Sequence, residues 1–410
     1  MQIENLLHKE QINNLCLKKC LYMKMKEINI FECLFRQGIE KVSIYGYGIL
    51  GQFTVAEALN SNIKINYIID KGNIAIQGVE SKIRFSGDEN EIVLVTVMTD
   101  VKNICDKLRE QNCKNILILE DVLDEIMLTK KIPELFRFEK LEEKKSLQVV
   151  NFGTGMGFYD FVYDGLPIKA FNFSLPQQFL QMDYRLMEHY YSKMSKGCKV
   201  ILTLPYCIFC AEMIEEAKST YERYYAILPE DIVSEVSERS IDAYREHIRY
   251  MEFDFLDGKM EFSKPLDAEV MEKQSQEALE NWIRQLSILS FASGELSTQI
   301  REGIEKNKKW LRRIIDFCKQ KDFEPIIVIP PMSQVLLDKI SMDFRESHFY
   351  EPLHEVVGDE IQILNYSDDK KFCNPNLYGW PGFLIHDAAK EFTRDVLSKI
   401  GINMEDTNVK

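Results

Sequence analysis

The sequence KVSIYGYGILG (residues 41–51) decides the fold of the first part of the chain. Its first five residues form a short β-branched run, which predicts a strand. The glycines that follow fit the pattern G-x-G-x-x-G, and residues 50–59 have a helix-like composition. A strand, a glycine turn and a helix in this order are typical of a Rossmann-like parallel sheet.

The glycines of this pattern, Gly46, Gly48 and Gly51, have separate physical roles. The first permits a tight turn, the second lets a pyrophosphate approach the backbone, and the third lets the helix pack on the strand. Asp70 follows Gly51 by nineteen residues, at the end of the next predicted strand, where a carboxylate accepts hydrogen bonds from a ribose. We therefore predict that these four residues bind a nucleotide or nucleotide-sugar. The alternative is that the glycines serve chain packing alone.

Strand and helix patterns alternate around this turn, which predicts parallel βαβ units. Residues 1–40 predict a helical N-terminal segment, and a Rossmann-like domain is expected over residues 41–130. Its further strands are predicted at residues 64–69, 91–97 and 115–119, with a helix at 101–109. Four strands are fewer than two mononucleotide-binding halves contain, which disfavours a redox role. The charged stretch at residues 135–145 predicts a solvated linker or a helix end.

A second alternation of strands and helices follows, and we expect one domain over residues 147–410. Its five predicted strands are residues 147–152, 169–173, 199–204, 325–329 and 360–366. A long insertion at about residues 207–322 has a helical pattern. It is too long for a loop, so the sequence predicts a helical subdomain there.

Five stretches of this second part resemble motifs of one known protein family. A strand and small-residue turn, VVNFGTGMG (149–157), stands where a known family has N-L-G-S-S-H-G. FNFSLPQQ (171–178) and YYAILP (224–229) match phrases like F-N-F-A-L-P-x-Q and Y-Y-x-I-L-P, PPMS (330–333) echoes a strand end of the P-P and V-S type, and residues 380–393 echo D-x-x-H-L-N-x-x-G-A-x-x-F-T. Together they resemble the SGNH (GDSL-like) hydrolase family, in a bacterial branch of exopolysaccharide and capsule functions. The resemblance implies a flavodoxin-like, doubly wound sheet of strand order 2-1-3-4-5.

The same resemblance places the catalytic residues of the family on side chains that cannot perform the chemistry. The nucleophilic serine falls on Gly155, with Thr154 before it, and the aspartate and histidine fall on Trp380 and Phe383. Ester cleavage needs a nucleophile, a base within hydrogen-bond reach and an oxyanion hole. Of these, backbone N–H groups around residues 153–157 are all that is expected to remain.

The first of two functions left open is a non-hydrolytic protein of bacterial surface-polysaccharide biosynthesis. It would bind a nucleotide-sugar at Gly46–Gly51 and a glycan in the degenerate cleft. Tyr378, Trp380 and Phe383 offer aromatic faces for a sugar ring there, or else form a hydrophobic plug over the old active site.

The second function is an active O-acyltransferase or esterase on a carbohydrate. Thr154 would be its nucleophile, and His386, three residues beyond the expected histidine, a relocated base. Beginning or capping the last predicted helix is the alternative role of His386. We favour the first function because the three catalytic positions are occupied by Gly155, Trp380 and Phe383.

Other candidate residues are given structural roles. Asp368 and Asp369 follow the last strand, where ligand-contacting residues gather, but a turn after Ser367 accounts for them equally well. Cys207 and Cys210 form C-x-x-C without two further ligands nearby, so buried structural thiols are favoured over a metal or redox pair. No metal site is predicted.

Composition and charge limit the partners. The 410 residues include 65 acidic and 51 basic side chains, a formal charge of −14, which disfavours nucleic acid and anionic membranes. No apolar run approaches the roughly 20 residues that span a bilayer, and the first residues lack a secretory pattern, so a cytoplasmic location is expected. Ten cysteines in this length predict reduced, mostly buried thiols.

Overall fold

The computed structural model describes residues 2–36, 38–72, 74–76, 78–128, 132–141, 144–210, 221–237, 240–250 and 262–402. The chain divides into two compact units, Met1–Ile132 with Arg245–Asp257, and Pro133–Tyr244 with Gly258–Lys410. Each unit contains a parallel five-stranded sheet flanked by helices, which confirms the predicted α/β class. No helix among the described residues is both long and apolar enough to cross a membrane.

The first unit is built from alternating strands and helices. Its helices are α1 (Gln2–Met25), α2 (Ile30–Arg36), α3 (Ile49–Leu59), α4 (Val101–Glu110) and α5 (Leu119–Met127), and its strands are β1 (Lys41–Tyr45), β2 (Lys64–Ile69), β3 (Glu80–Lys82), β4 (Ile92–Val95) and β5 (Asn115–Ile118). The strand order is β3-β2-β1-β4-β5. Sequence patterns predicted four of these strands and missed β3, because its three residues are polar and lie at the sheet edge.

The N-terminal helix α1 is part of the core of the first unit. Cys16, Cys20 and Met23 on α1 are buried in the same apolar cluster as Val42 and Ile44 of β1. The opposite face of the sheet packs against α4 through a separate cluster that includes Leu108 and Val93. The sheet is therefore covered by helices on both faces, as parallel sheets require.

From one edge to the other, the sheet of the second unit has the strand order β7-β6-β8-β9-β10. When its strands are counted from β6, this is the predicted order 2-1-3-4-5. Its strands are β6 (Leu147–Gly153), β7 (Ala170–Asn172), β8 (Met194–Thr203), β9 (Glu324–Ile329) and β10 (Gln362–Asn365), followed by a hairpin of β11 (Tyr378–Trp380) and β12 (Phe383–Leu384). In order along the rest of the chain, the helices are α6 (Gly155–Asp160), α7 (Leu180–Tyr190), α8 (Glu230–Ser234), α9 (Ile241–Tyr250), α10 (Ala268–Leu286), α11 (Thr298–Gln320), α12 (Gln334–Leu337), α13 (Met342–Arg345), α14 (Glu351–Val357) and α15 (His386–Lys399).

Short turns of tighter or wider helix join these elements. They are Pro133–Lys140, Tyr191–Lys193, Glu222–Ala226, Gly358–Glu360 and Pro375–Leu377 (3₁₀) and Glu346–Tyr350 (π). The predicted helical insertion contains α8, α9, α10 and α11, and residues 211–220, 238–239 and 251–261 of it lie outside the described residues.

Residues 135–145 were predicted to form a solvated linker or a helix end, and the solvated-linker interpretation was wrong for the first half of this stretch. Pro133–Lys140 is a 3₁₀ helix, and Leu135, Phe138 and Leu141 are buried. Their spacing of three residues places them on one side of a 3₁₀ helix, which has three residues per turn. Phe138 packs edge-on against Phe171 of β7, with ring centroids 5.3 Å apart. This segment therefore belongs to the core that covers the edge strand β7.

Candidate functional site

The glycine turn of the first unit joins β1 to α3. Gly46 has a φ of +95°, and a Cβ there would lie 2.3 Å from Val97 Cγ2. A Cβ on Gly51 would lie 2.2 Å from the carbonyl oxygen of Gly46. Close packing of α3 on the turn therefore requires the first and third glycines. No described atom lies within 4 Å of a Cβ on Gly48, so the middle glycine faces open space.

The carboxylate of Asp70 ties the end of β2 to this turn. Its Oδ2 accepts a hydrogen bond from the Tyr47 N–H, and its Oδ1 accepts one from the Gly72 N–H, both at 2.8 Å. The structure thus brings together the four residues predicted from the sequence, Gly46, Gly48, Gly51 and Asp70. It also shows that two N–H groups of the turn are already bonded within the protein, that of Gly46 to the Ile69 carbonyl and that of Tyr47 to Asp70.

The glycine turn of the second unit, residues 153–157, lies at the carboxyl end of β6, where β6 pairs with β8. The strand order reverses at this point, which is where doubly wound sheets bind ligands. Gly153 has a φ of +141°, and a Cβ there would lie 2.6 Å from the carbonyl oxygen of Thr203. A Cβ on Gly157 would lie 2.5 Å from Ser174 Oγ. The turn therefore has no room for side chains at either end.

Gly155, the position that the resemblance assigns to the nucleophile, faces an aromatic ring. A Cβ on Gly155 would lie 2.9 Å from Cζ of Phe383, the residue at the assigned histidine position. Thr154 is the N-cap residue of α6, and its side chain makes no capping hydrogen bond. The two assigned positions are adjacent in the fold, but a glycine and a phenyl ring occupy them.

An aromatic plug, which we define as Tyr159, Phe262, Trp380 and Phe383, fills the space in front of this turn. The Phe383 ring stacks on Trp380 at 4.6 Å and 26° and contacts Tyr159 at 4.6 Å and 39°. Phe262 lies 5.6 Å from Phe383. All four residues are half-buried, so each exposes part of its side chain at the surface.

Tyr378, which the sequence grouped with Trp380 and Phe383, does not belong to the plug. It is fully buried, and its hydroxyl donates a hydrogen bond to the carbonyl of Phe372 at 2.7 Å. The hairpin register is irregular between Tyr378 and Trp380, so residues two apart do not present the same face as they would in a regular strand. A stacking role for Tyr378 was therefore a wrong prediction.

A buried amide pair holds the second turn from below. Asn151 Nδ2 lies 3.0 Å from the Gly157 carbonyl, 3.0 Å from Asn172 Oδ1 and 2.9 Å from Ser174 Oγ. Asn172 Nδ2 donates to the same Gly157 carbonyl at 2.9 Å. Both asparagines are buried. The sequence motifs that contain Asn151 and Asn172 indicate no role for either residue. Their hydrogen bonds arise only when β6 pairs with β7.

A second buried network fixes the beginning of the turn. Asp183 Oδ1 accepts hydrogen bonds from the Gly153 N–H at 3.1 Å and from Gln178 Nε2 at 2.6 Å, and Gln178 Oε1 accepts one from the Tyr224 hydroxyl at 2.8 Å. Asp183 Oδ2 has no hydrogen-bond partner among the residues that the structure describes. Burial raises the pKa of Asp183 to about 7, although these hydrogen bonds oppose the rise. Because Asp183 takes the Gly153 N–H, this amide is not available to stabilise an oxyanion.

Asp160, at the end of α6, anchors the hairpin that carries the plug. Its Oδ1 accepts a hydrogen bond from the Leu384 N–H at 2.9 Å, and its Oδ2 has no hydrogen-bond partner within the described part of the chain. The residue is fully buried, and this burial raises the pKa of the carboxyl well above its usual value. Neither Asp160 nor Asp183 carried a recognisable signal in the sequence, since each acts through a contact distant along the chain.

His386 begins α15, as the structural alternative predicted. Its backbone N–H donates to the Phe262 carbonyl at 2.9 Å, and no hydrogen bond joins its imidazole to Thr154 in the described part of the chain. A hydroxyl–imidazole hydrogen bond does occur between Ser347 Oγ and His348 Nδ1, at 2.8 Å, in the π turn. His348 is fully buried, and this burial lowers its pKa to about 4, so it is a poor base at neutral pH.

The remaining candidates have structural contacts. Asp369 Oδ1 accepts hydrogen bonds from the N–H groups of Lys371 and Phe372, which is the geometry of a turn. Asp368 pairs with Arg345 at 3.5 Å.

Cys207 and Cys210 of the C-x-x-C motif are free thiols and form no disulfide. Cys210 is buried, Cys207 is half-buried, and burial raises the pKa of both, that of Cys210 to about 12. Among the described residues, no group of histidine, cysteine, aspartate or glutamate side chains is arranged to hold a metal ion.

No family model matches the chain, and none of the curated proteins matches it. The case for a function therefore rests on the two glycine turns and their surroundings.

Proposed function

We propose that this protein is a non-hydrolytic member of the SGNH-like fold. In this proposal it binds a nucleotide-sugar or glycan in bacterial surface-polysaccharide biosynthesis, in the cytoplasm. The observation that carries the proposal is the contact between the Phe383 ring and Gly155, where a hydrolase of this kind needs an imidazole and a hydroxyl. The family resemblance supports a role in surface-polysaccharide biosynthesis, and the contact between Phe383 and Gly155 supports the absence of hydrolysis.

The chemistry of ester cleavage explains why the contact matters. A hydroxyl becomes a nucleophile only when a base within hydrogen-bond reach takes its proton. Gly155 has no hydroxyl, Phe383 accepts no proton, and the ring fills the space that a serine side chain would need. The Gly153 N–H, which could have stabilised an oxyanion, is bonded to Asp183. Nucleophile, base and one oxyanion donor are thus missing together.

The alternative function, an active esterase or acyltransferase using Thr154, needs a base beside that hydroxyl. Purified full chain should therefore be assayed with p-nitrophenyl acetate beside the variant Thr154→Ala. We expect the same background rate from both proteins, because no imidazole among the described residues is hydrogen-bonded to Thr154. Turnover by the wild type that Thr154→Ala abolishes would overturn the proposal and establish the alternative.

The glycan part of the proposal places the ligand at the aromatic plug. The Phe383 ring contacts both Trp380 and Tyr159, and the exposed parts of the Trp380 and Tyr159 side chains are the surfaces proposed to contact a sugar. Intrinsic tryptophan fluorescence should change when oligosaccharides bind, and Trp380→Ala should remove that change. Trp310→Ala on α11 is the matched control and should keep it.

The nucleotide part of the proposal places the ligand at the first glycine turn. Open space at Gly48 and the first N–H groups of α3 suit a phosphate, and Asp70 lies at the position for a ribose. Nucleotide-sugars should raise the melting temperature of the wild type and of the control Asp106→Asn. They should raise that of Asp70→Asn less, because the amide retains one acceptor for the turn but loses the charge. Equal shifts in all three proteins would count against this site.

A further inference from the structure

Arg137 lies beside the aromatic plug, and most of its hydrogen-bonding groups have no partner among the described residues. Its guanidinium lies 3.8 Å from the ring centroid of Phe158, which in turn contacts Tyr159 of the plug at 4.7 Å. One N–H donates to the Asn172 carbonyl at 3.4 Å. A guanidinium has five N–H donors, so this bond satisfies only one of them.

No carboxylate neutralises this guanidinium within ion-pair distance among the described residues. Glu134 and Asp164 attract it from farther away. The pKa of Arg137 is nevertheless lowered to about 9, because the loss of hydration outweighs their attraction. A partly buried cation that no carboxylate among the described residues neutralises is costly, and an anion supplied by a ligand offsets that cost.

The edge strand offers a purely structural role that accounts for part of this arrangement. Lys144 Nζ donates to the Ala170 carbonyl of β7 at 3.0 Å, two residues before the carbonyl that Arg137 bonds. Cationic side chains on an outer strand protect it from pairing with another chain. Covering β7 explains one hydrogen bond of Arg137, but it explains neither the stacking on Phe158 nor the remaining donors.

We propose that Arg137 binds the anionic group of the ligand, a carboxylate or phosphate on a saccharide whose rings contact the aromatic plug. Arginine suits this task because its planar fork bonds both oxygens of a carboxylate or phosphate. This inference rests on the proposed function, since it names the charge of the ligand that the plug receives. A uronic-acid oligosaccharide and a nucleotide-sugar both carry the required group.

Calorimetric titration of the full chain distinguishes these ligands. The titrants are a neutral oligosaccharide, a uronic-acid oligosaccharide of equal length, a nucleotide-sugar and inorganic phosphate. We expect at least one of the charged saccharides to bind the wild type about 10-fold or more tighter than the neutral one, with an affinity that falls as salt rises. Arg137→Gln should remove that difference, Arg137→Lys should restore part of it, and Lys144→Gln, which alters only the edge strand, should leave it intact.

The outcomes separate this inference from the function on which it rests. Equal binding of neutral and charged saccharides to the wild type, unaffected by Arg137→Gln, would overturn the anion site and leave glycan binding standing. Binding lost equally in Arg137→Gln and Lys144→Gln, with matching losses of stability, would assign Arg137 to the strand edge alone. If no saccharide binds at all, the proposed function fails and this inference with it. Should Arg137→Gln fail to fold, the ratio of charged to neutral affinity in the wild type and Arg137→Lys decides the question.

Discussion

At the scale of single residues, the contact between Gly155 and Phe383 decides the chemistry of the second unit. The Phe383 ring also contacts Trp380 and Tyr159, so moving it away from Gly155 would disturb both of these contacts. Restoring a serine at position 155 therefore conflicts with the present packing. A hydroxyl could return to this turn only together with a smaller side chain at position 383.

The variant Gly155→Ser should destabilise the protein by about 1–3 kcal/mol, because its side chain would overlap the Phe383 ring. In the background Phe383→Ala the same change should cost clearly less, since the ring is gone. Urea unfolding of the wild type, Gly155→Ser, Phe383→Ala and the double variant measures how far the two substitutions depend on each other in free energy of unfolding. Thr154→Ser, one residue earlier, is the control and should show no coupling to Phe383→Ala. Equal costs of Gly155→Ser in both backgrounds would show that the ring does not fill this position.

Asp183 predicts a pH dependence of stability. Its pKa is about 7 in the fold and about 4 in an unfolded chain, so between these values the native protein keeps a proton that the unfolded chain loses. Stability should therefore fall as pH rises from about 4 to about 7, by at most about 4 kcal/mol from this residue, and then level off.

Asp183→Asn should flatten that part of the curve, because an amide does not titrate and its oxygen still accepts from Gly153 and Gln178. Chemical unfolding at pH 5, 6, 7 and 8 checks this, with the exposed Asp316→Asn as the control. If the stability of Asp183→Asn fell with pH as steeply as that of the wild type, Asp183 would not be the residue that causes the pH dependence.

At the scale of elements, the β11–β12 hairpin places the plug, and α6 anchors the hairpin. The anchor is the hydrogen bond from the Leu384 N–H to Asp160. Thr393 of α15 donates to the carbonyl of the same residue at 3.2 Å, so one residue joins three elements. The position of Trp380 and Phe383 over the turn thus depends on a carboxyl group behind the plug.

Asp160→Ala should destabilise the protein by about 1–3 kcal/mol or more, since it leaves the buried Leu384 N–H without an acceptor. Asp160→Asn should cost much less, because its amide oxygen replaces Oδ1 and carries no charge, like the protonated acid that burial favours. Hydrogen exchange at the Leu384 amide should accelerate in the alanine variant alone. Similar exchange in all three proteins would show that the hairpin is held by other contacts.

The strands and helices with strong periodicity could be predicted from the sequence, and the exceptions have physical reasons. β8 and β9 contain nearly continuous apolar runs because helices cover both faces of the sheet. β3 was missed because it is short, polar and at the edge. The 3₁₀ helix Pro133–Lys140 was taken for a linker because its spacing of three differs from both the helical and the strand period.

At the scale of the whole molecule, the chain combines two α/β units with a glycine turn in each. Sequence patterns located both turns and the pair Gly155 and Phe383, since these depend on local motifs or on the resemblance. They could not locate Asp160, Asp183 or Arg137, whose roles come from contacts with residues far along the chain or on another element. In the first unit, the sequence pattern predicted that Asp70 follows the second strand, and Asp70 does follow β2. The pattern did not predict the hydrogen bond that Asp70 accepts from the Tyr47 N–H.

Covalent labelling of the full chain with a fluorophosphonate probe, read by mass spectrometry, tests the loss of hydrolytic chemistry most directly. Such a probe reacts with a hydroxyl that a neighbouring base has activated. Because Gly155 and Phe383 replace that pair, we predict no adduct on the second glycine turn at neutral pH. An adduct on Thr154, or on any serine, threonine or cysteine beside this turn, would contradict the account.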